Sequence, residues 1–223
     1  MITEKSPAAV LWDLDGTLLD SEKLWDIPLF ELTEKLGGRL SAATRQRMVG
    51  TNVLITLHLL YAEVGIESPS ADQLADGAAW IERRMAEVFR GELPWRPGAA
   101  AALAAVRASG VPTALVTSTE RGLTEIALDT IGREMFDATV CGDEVGGLNK
   151  PLPEPYLKAA RLLGVDPTAC VAVEDSPTGT EAAVAAGCTV LVVPCEVAVE
   201  PGERRVFRES LEGVDLAFLS GIL

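Results

Sequence analysis

Ala8-Ala9-Val10-Leu11-Trp12-Asp13-Leu14-Asp15-Gly16-Thr17 is the stretch that decides the fold. Five apolar residues stop at a carboxylate, which reads as a short strand buried on both faces and presenting Asp13 at its C-terminal end. Runs of the same kind recur at Pro112 to Val116, Ala138 to Cys141, Cys170 to Val173 and Thr189 to Val193. Helical patterns separate them: an alanine-rich one at Ala99 to Ala108, closed by Gly110, then Leu123 to Ile131 and Pro155 to Leu163. Ser176-Pro177 opens another, an N-cap followed by proline at the first helical position, which ends at Gly187. Strands alternating with helices predict an α/β fold, a doubly wound parallel sheet of Rossmann-like type.

Residues from Ser21 to Arg90 have a different character, poor in strands and helical in pattern. Trp25, Leu29, Leu32 and Leu36 recur at helical spacing before Gly37-Gly38, with Pro28 marking an early turn or kink. Further helices are expected over Val53 to Val64 and Ala71 to Phe89, and the segment Pro94-Trp95-Arg96-Pro97-Gly98 reads as a return linker. The expected organisation is a split α/β core, residues 1–19 and 94–223, with a helical cap domain, 20–93, inserted into it. The last fifteen residues carry little pattern.

The 223 residues suffice for a core and a smaller domain, and a hydrophobic share of 48% makes a packed interior possible. Nineteen basic against thirty-three acidic residues leave a formal charge of −14, which disfavours nucleic acid or an anionic membrane as partner. The same field repels a phosphate, so a site for one needs local positive charge from a metal ion and a lysine. No apolar stretch approaches the ~20 residues of a transmembrane helix, and the polar Met1 to Ala8 segment lacks the features of a signal peptide. Cys141, Cys170, Cys188 and Cys195 show no Cys-x-x-Cys spacing, and Cys170 and Cys188 flank apolar runs as buried thiols do. A reducing cytoplasm without structural zinc is the expected setting.

In a parallel sheet all strand C-termini share one edge, where ligands bind. Asp13-Leu14-Asp15-Gly16-Thr17 follows the first strand, Thr117-Ser118-Thr119 the second and Glu174-Asp175-Ser176 the fourth. Lys150, in Asn149-Lys150-Pro151, lies in the loop feeding the helix before that fourth strand. Any one of these has a plain structural explanation as a turn, a strand end or a helix N-terminus. Together, in this order, they place several carboxylates, a hydroxyl and one ammonium at a single spot. Clustered carboxylates repel one another unless a cation neutralises them. A donor set of oxygens fits Mg²⁺, while hydroxyl and ammonium donors suit phosphoryl oxygens. A carboxylate can itself serve as the nucleophile.

These segments resemble the motif set of the haloacid dehalogenase-like hydrolase superfamily. Asp13-Leu14-Asp15-Gly16-Thr17-Leu18 is similar to its first motif, Thr117 stands at the second and Lys150 at the third. Val173-Glu174-Asp175-Ser176-Pro177-Thr178-Gly179 is similar to the fourth. The run from Lys150 to Tyr156 is close to the form seen in the β-phosphoglucomutase-like branch. The likeness spans roughly residues 8 to 195. It implies that Asp13 attacks phosphorus and that Asp15 serves as general acid/base. It also implies that Asp13, the Asp15 backbone carbonyl, Asp175 and Glu174 hold Mg²⁺, and that Thr117, Ser118 and Lys150 bind the phosphoryl group.

Within that family Asp15 argues against carbon–halogen cleavage, whose enzymes typically lack the second aspartate. Mutase relatives carry a histidine where Trp25 stands and an arginine in a cap loop; Gly50-Thr51-Asn52-Val53 has none at the matching place. The run Asp20-Ser21-Glu22-Lys23-Leu24-Trp25 instead resembles hexose- and hexitol-phosphate phosphatases. Trp25, Thr51 and Asn52 are the candidate substrate contacts from the cap, although a hinge plug and a helix cap explain them as well. The sole histidine, His58, falls in a cap helix as a packing or surface residue. The expected activity is Mg²⁺-dependent hydrolysis of a small phosphorylated metabolite, a sugar phosphate, with a sugar-phosphate mutase as the alternative. The chain's length, and an acceptor placed after the first strand with a cap inserted behind it, argue against a phosphoaspartate receiver, and the sequence does not fix the oligomeric state.

Overall fold

The computed structural model describes residues 6–49 and 51–223. Gly50, used above in the cap-loop comparison, lies outside them, as do Met1 to Lys5. Six parallel strands form one sheet in the order β3-β2-β1-β4-β5-β6. They are β1 (Val10–Trp12), β2 (Thr113–Val116), β3 (Ala138–Val140), β4 (Val171–Glu174), β5 (Thr189–Val192) and β6 (Arg205–Phe207). The doubly wound α/β architecture is therefore as expected.

Alternation along each strand sends side chains to two separate cores. Val10, Trp12, Leu115, Val171, Val173 and Leu191 point to the face covered by α5 (Ala99–Ala108) and α6 (Arg121–Ile131). Leu11, Ala114, Val116, Ala172, Val190 and Val192 point to the face covered by α7 (Glu154–Leu163) and α8 (Pro177–Ala186). Burial on both faces is why the strands read as unbroken apolar runs.

The helical segment comprises α1 (Glu22–Lys35), α2 (Ala42–Met48), α3 (Val53–Glu63) and α4 (Ala71–Phe89). α1 continues through Pro28, which stands inside the helix in its second turn. Ser41, Asn52 and Ser70 cap the N-termini of α2, α3 and α4 by accepting backbone N–H bonds. Leu29, Leu57, Leu60, Ile81, Met85 and Phe89 pack into the same apolar cluster as the β1 face of the sheet. The two connecting segments run antiparallel: Leu19 bridges Trp95, and the Asp20 and Arg96 N–H groups donate to the carbonyls of Pro94 and Leu18.

The sequence reading missed α2, β6 and the C-terminal α9 (Leu216–Gly221). α2 has only seven residues, rich in charge, and β6 only three at the sheet edge. Glu174, read as following the fourth strand, is its last residue and is fully buried. No described helix is long and apolar enough to cross a membrane. None of the four cysteines is in a disulfide, and burial pushes the thiols of Cys170 and Cys188 up to about 11 and about 12.

Candidate active site

Strand order reverses at β1, whose neighbours are β2 and β4. In open α/β sheets such a switch point leaves a crevice beyond the strand ends. Asp13 continues β1 into it, its N–H donating to the Val173 carbonyl at 3.0 Å. The chain then folds back on itself: the Gly16 N–H donates to the Leu19 carbonyl, and buried Leu14, Leu18 and Leu19 anchor the loop. Gly16 adopts φ +82°, and a Cβ there would stand 2.2 Å from Asp175 Oδ2. The turn that presents Asp13 and Asp15 thus admits only glycine at this position.

Lys150 lies under the crevice, 5% exposed. Its ammonium donates to Asp13 Oδ1 at 2.7 Å, to Glu174 Oε1 at 2.6 Å and to the Val116 carbonyl at 3.0 Å. The Tyr156 hydroxyl also donates to Glu174, and Ser176 Oγ stands 3.3 Å from its second oxygen. Thr17 donates to Asp175 Oδ1 at 3.2 Å. Ser176 caps α8, accepting the Gly179 N–H. Thr117, 2% exposed, closes the group from the end of β2.

Burial and the neighbouring Glu174 charge push the Asp13 carboxyl up to about 8, against the opposing pull of Lys150. Burial works to lower the Lys150 ammonium, but the charges of Asp13 and Glu174 outweigh it and raise it. Burial, reinforced by Glu174, likewise raises Tyr156 well above its ordinary value. One ammonium is left to balance several buried carboxylates. Oxygens of Asp13, Glu174 and Asp175 lie within 4.8 Å of one another, an all-oxygen set that a divalent cation fits. Of the three, Glu174 already serves both Lys150 and Tyr156.

Asp15 projects into the crevice beside this cluster. Its Oδ1 accepts from Ser21 Oγ at 2.6 Å and from Trp25 Nε1 at 3.3 Å, and its Oδ2 from Thr119 Oγ1 at 2.7 Å. Trp25, expected as a hinge plug or a substrate contact, does line the cleft, packs edge-on against Phe89 and spends its N–H on Asp15. Ser118 lines the cleft with Thr117. Thr51 also lines it, its hydroxyl bonded to the Met48 carbonyl and to Thr56. Asn52 turns its side chain to the Ile55 N–H as the cap of α3. His58 is exposed on that helix.

The sequence reading did not single out Thr119, Ser21, Tyr156 or Arg45. Arg45, on the unread α2, reaches the cleft and pairs with Asp26 and, at 3.9 Å, with Glu196 across from the core. The first three lie inside the quoted segments Thr117 to Thr119, Asp20 to Trp25 and Lys150 to Tyr156, and that placement was the signal available for them.

A family model for the haloacid dehalogenase-like hydrolases matches residues 7–187. The chain belongs to that family. Among its curated relatives, hexitol phosphatase B of Escherichia coli (strain K12) is 31% identical over 196 residues, covering 87% of this chain and 86% of that one. The crystal structure of CbbY from Rhodobacter sphaeroides in complex with phosphate superposes with a TM-score of 0.80 at 28% identity, over 96% of this chain and 99% of that one. β-Phosphoglucomutase from Clostridium difficile gives a TM-score of 0.84 at 19% identity, over 97% and 96% of the two chains, a likeness of fold. The protein is thus a haloacid dehalogenase-like hydrolase of the sugar-phosphate branch, in which curated relatives are phosphatases.

Proposed function

We propose that this hydrolase is a Mg²⁺-dependent phosphatase acting on a small phosphomonoester, a sugar phosphate, through a phosphoryl group carried on Asp13. The observation that carries the reading is the pairing of Asp13 with Lys150 at 2.7 Å, beside Asp15, in one crevice. Asp13 and Asp175, with the Asp15 carbonyl and Glu174, would hold the ion. Bound there, it screens the carboxylates and draws charge from the phosphoryl oxygens.

Asp13 attacks phosphorus, and the ester P–O bond breaks as Asp15 gives its proton to the departing oxygen. A water then attacks phosphorus and yields its proton to Asp15. The P–O bond to Asp13 breaks, and inorganic phosphate leaves. Lys150 and the Thr117 hydroxyl, with Ser118, hold the phosphoryl oxygens in both steps. Residues 20–93 act as a cap that covers the crevice and selects the leaving group, presenting Trp25, Arg45, Met48, Thr51, Thr56 and Ile81 to it.

The test is a phosphate-release screen with Mg²⁺ over sugar phosphates and para-nitrophenyl phosphate, with Asp13→Asn as control. Release that disappears in Asp13→Asn supports the reading. No release from any substrate, or release indifferent to Asp13→Asn, sinks it. Conversion of glucose 1-phosphate to glucose 6-phosphate would favour the mutase instead.

A further inference from the structure

We propose that Thr119 is a positioning residue for Asp15, fixing the acid/base carboxyl in the crevice from the core side. This rests on the phosphatase reading and deepens it. Thr119 Oγ1 donates to Asp15 Oδ2 at 2.7 Å, joining segments 104 residues apart. The residue is 6% exposed, and its backbone is held at both ends. Its N–H donates to Thr117 Oγ1 at 3.0 Å, while its carbonyl accepts from the Gly142 N–H at 3.0 Å and from Thr124 Oγ1 at 3.4 Å. The hydroxyl that meets Asp15 therefore sits on a rigid arm.

The other Asp15 oxygen is held from the helical segment. Ser21 stands at the N-cap of α1 yet makes no capping bond with its side chain; its hydroxyl goes to Asp15 Oδ1. Trp25 joins it there. A carboxyl gripped at both oxygens is fixed about its Cβ–Cγ bond. Loss of the Thr119 hydroxyl removes the hydrogen bond to Oδ2 and leaves that oxygen free to turn.

The same three-residue loop sets the phosphoryl donor. Because Thr117 Oγ1 accepts the Thr119 N–H, its own hydrogen is directed elsewhere and serves a phosphoryl oxygen. Proton transfer needs heavy atoms within about 2.6–3.2 Å, and a displacement near 1 Å costs on the order of 100-fold in rate. Both steps depend on this alignment. In the first, the Asp15 proton passes to the ester oxygen as its bond to phosphorus breaks. In the second, a water proton passes to Asp15 as oxygen bonds phosphorus and the Asp13 linkage breaks.

The experiment compares the full chain with Thr119→Val, which keeps the shape and loses the hydroxyl, and with Thr119→Ser, which restores it. Thr119→Ala is carried alongside, so that a folding defect in the valine variant leaves the question answerable. With para-nitrophenyl phosphate and Mg²⁺ the leaving group departs without a proton. The first step then survives, and breakdown of the phosphoenzyme slows. The expected result for Thr119→Val is a burst of nitrophenol near one per enzyme, then a steady rate roughly 10- to 100-fold below wild type. Inhibition by inorganic phosphate should stay within about 3-fold, since Thr117 and Lys150 are untouched. Thr119→Ser should recover most of the rate. A steady rate for Thr119→Val within about 2-fold of wild type overturns the proposal. So does phosphate inhibition weakening in step with the rate and no rescue by serine, which would mark a structural role for the loop. A wild-type chain that releases no phosphate overturns the phosphatase reading and this proposal together, whereas an active wild type with an unaffected Thr119→Val overturns this proposal alone.

Discussion

Asp13 Oδ1 stands 2.7 Å from Lys150 Nζ, across 137 residues of chain and almost wholly out of solvent. The same ammonium meets Glu174 at 2.6 Å, so one cation stabilises two buried carboxylates. Removing one partner from a buried ion pair is costly because the other charge is stranded, whereas the intact pair is worth much less than its Coulomb energy.

Lys150→Met keeps the bulk and deletes the charge. Breaking a buried pair in this way costs roughly 3–5 kcal/mol. The lower end is expected here, because Asp13, pushed up to about 8, takes a proton readily once Lys150 is gone. Calorimetry in chelator should show a melting temperature lower by about 6–12 °C at the usual 2–4 °C per kcal/mol for a chain of this size. Turnover should fall by on the order of 100-fold or more, as loss of a transition-state donor does. A variant as stable and as active as wild type would contradict both roles.

Gly16 and Gly37 share φ +82°, but a Cβ at Gly16 would strike Asp175 at 2.2 Å, while at Gly37 it would meet nothing within 4 Å. Alanine at either position forces a left-handed residue, at a cost of roughly 1–2 kcal/mol. Gly16→Ala should add the displacement of Asp175. The expected outcome is a similar or larger loss of stability than in Gly37→Ala, together with a collapse of Mg²⁺ affinity and turnover that Gly37→Ala does not share. Paired melting curves and metal titrations separate the two effects; equal turnover in both variants would remove Asp175 from the argument.

How much of this was legible depends on where each residue's signal resides. The parallel sheet was readable because its strands are buried on both faces and end in chemistry-bearing loops. Asp13, Lys150 and Asp175 were readable for the same reason: strand ends converge by topology, whatever the details between them. α2 escaped because Ala42–Met48 is short and its apolar face is one methionine beside a buried arginine. Thr119 and Ser21 escaped because a hydroxyl in a loop or at a helix start has an ordinary explanation. Only the distance to Asp15, set by chain 104 residues away in the case of Thr119, distinguishes them. Glu174 shows the opposite limit. Its type and place suggested a metal ligand, while the fold also gives its carboxylate to Lys150 and Tyr156.

Asp137 ties β2 to β3 by accepting from Arg107 Nη1 at 2.7 Å and from the buried Thr113 N–H at 3.0 Å. Those bonds, Arg107 first, hold its carboxyl below the ordinary 3.8. A depressed acid stabilises the fold fully above its unfolded value and loses that contribution as pH falls through the folded one. Asp137→Ala should therefore cost about 1 kcal/mol at neutral pH, mostly from the stranded N–H, since the exposed ion pair is screened. The gap to wild type should narrow as pH drops below 3.8. Melting series at pH 7 and near pH 3 measure it; a gap that widens in acid would reverse the sign.

Asp13, Glu174 and Asp175 bring carboxylate oxygens within 4.8 Å of one another beside a single ammonium, an imbalance that a divalent cation relieves. An ion that binds the folded chain and not the unfolded one stabilises it by mass action, about 2.7 kcal/mol at a concentration 100 times the dissociation constant. Adding Mg²⁺ to chelated protein should therefore raise the melting temperature by roughly 5–10 °C. Asp175→Asn removes one ligand charge while keeping an oxygen for the Thr17 hydroxyl, which now stands 3.2 Å away, so the fold should survive and the Mg²⁺ shift should vanish at the same concentration. Asp137→Ala, remote from the crevice, should keep the full shift. An equal shift in Asp175→Asn would mean that the ion binds elsewhere on this acidic chain, and no shift in wild type would mean that Lys150 alone balances the site.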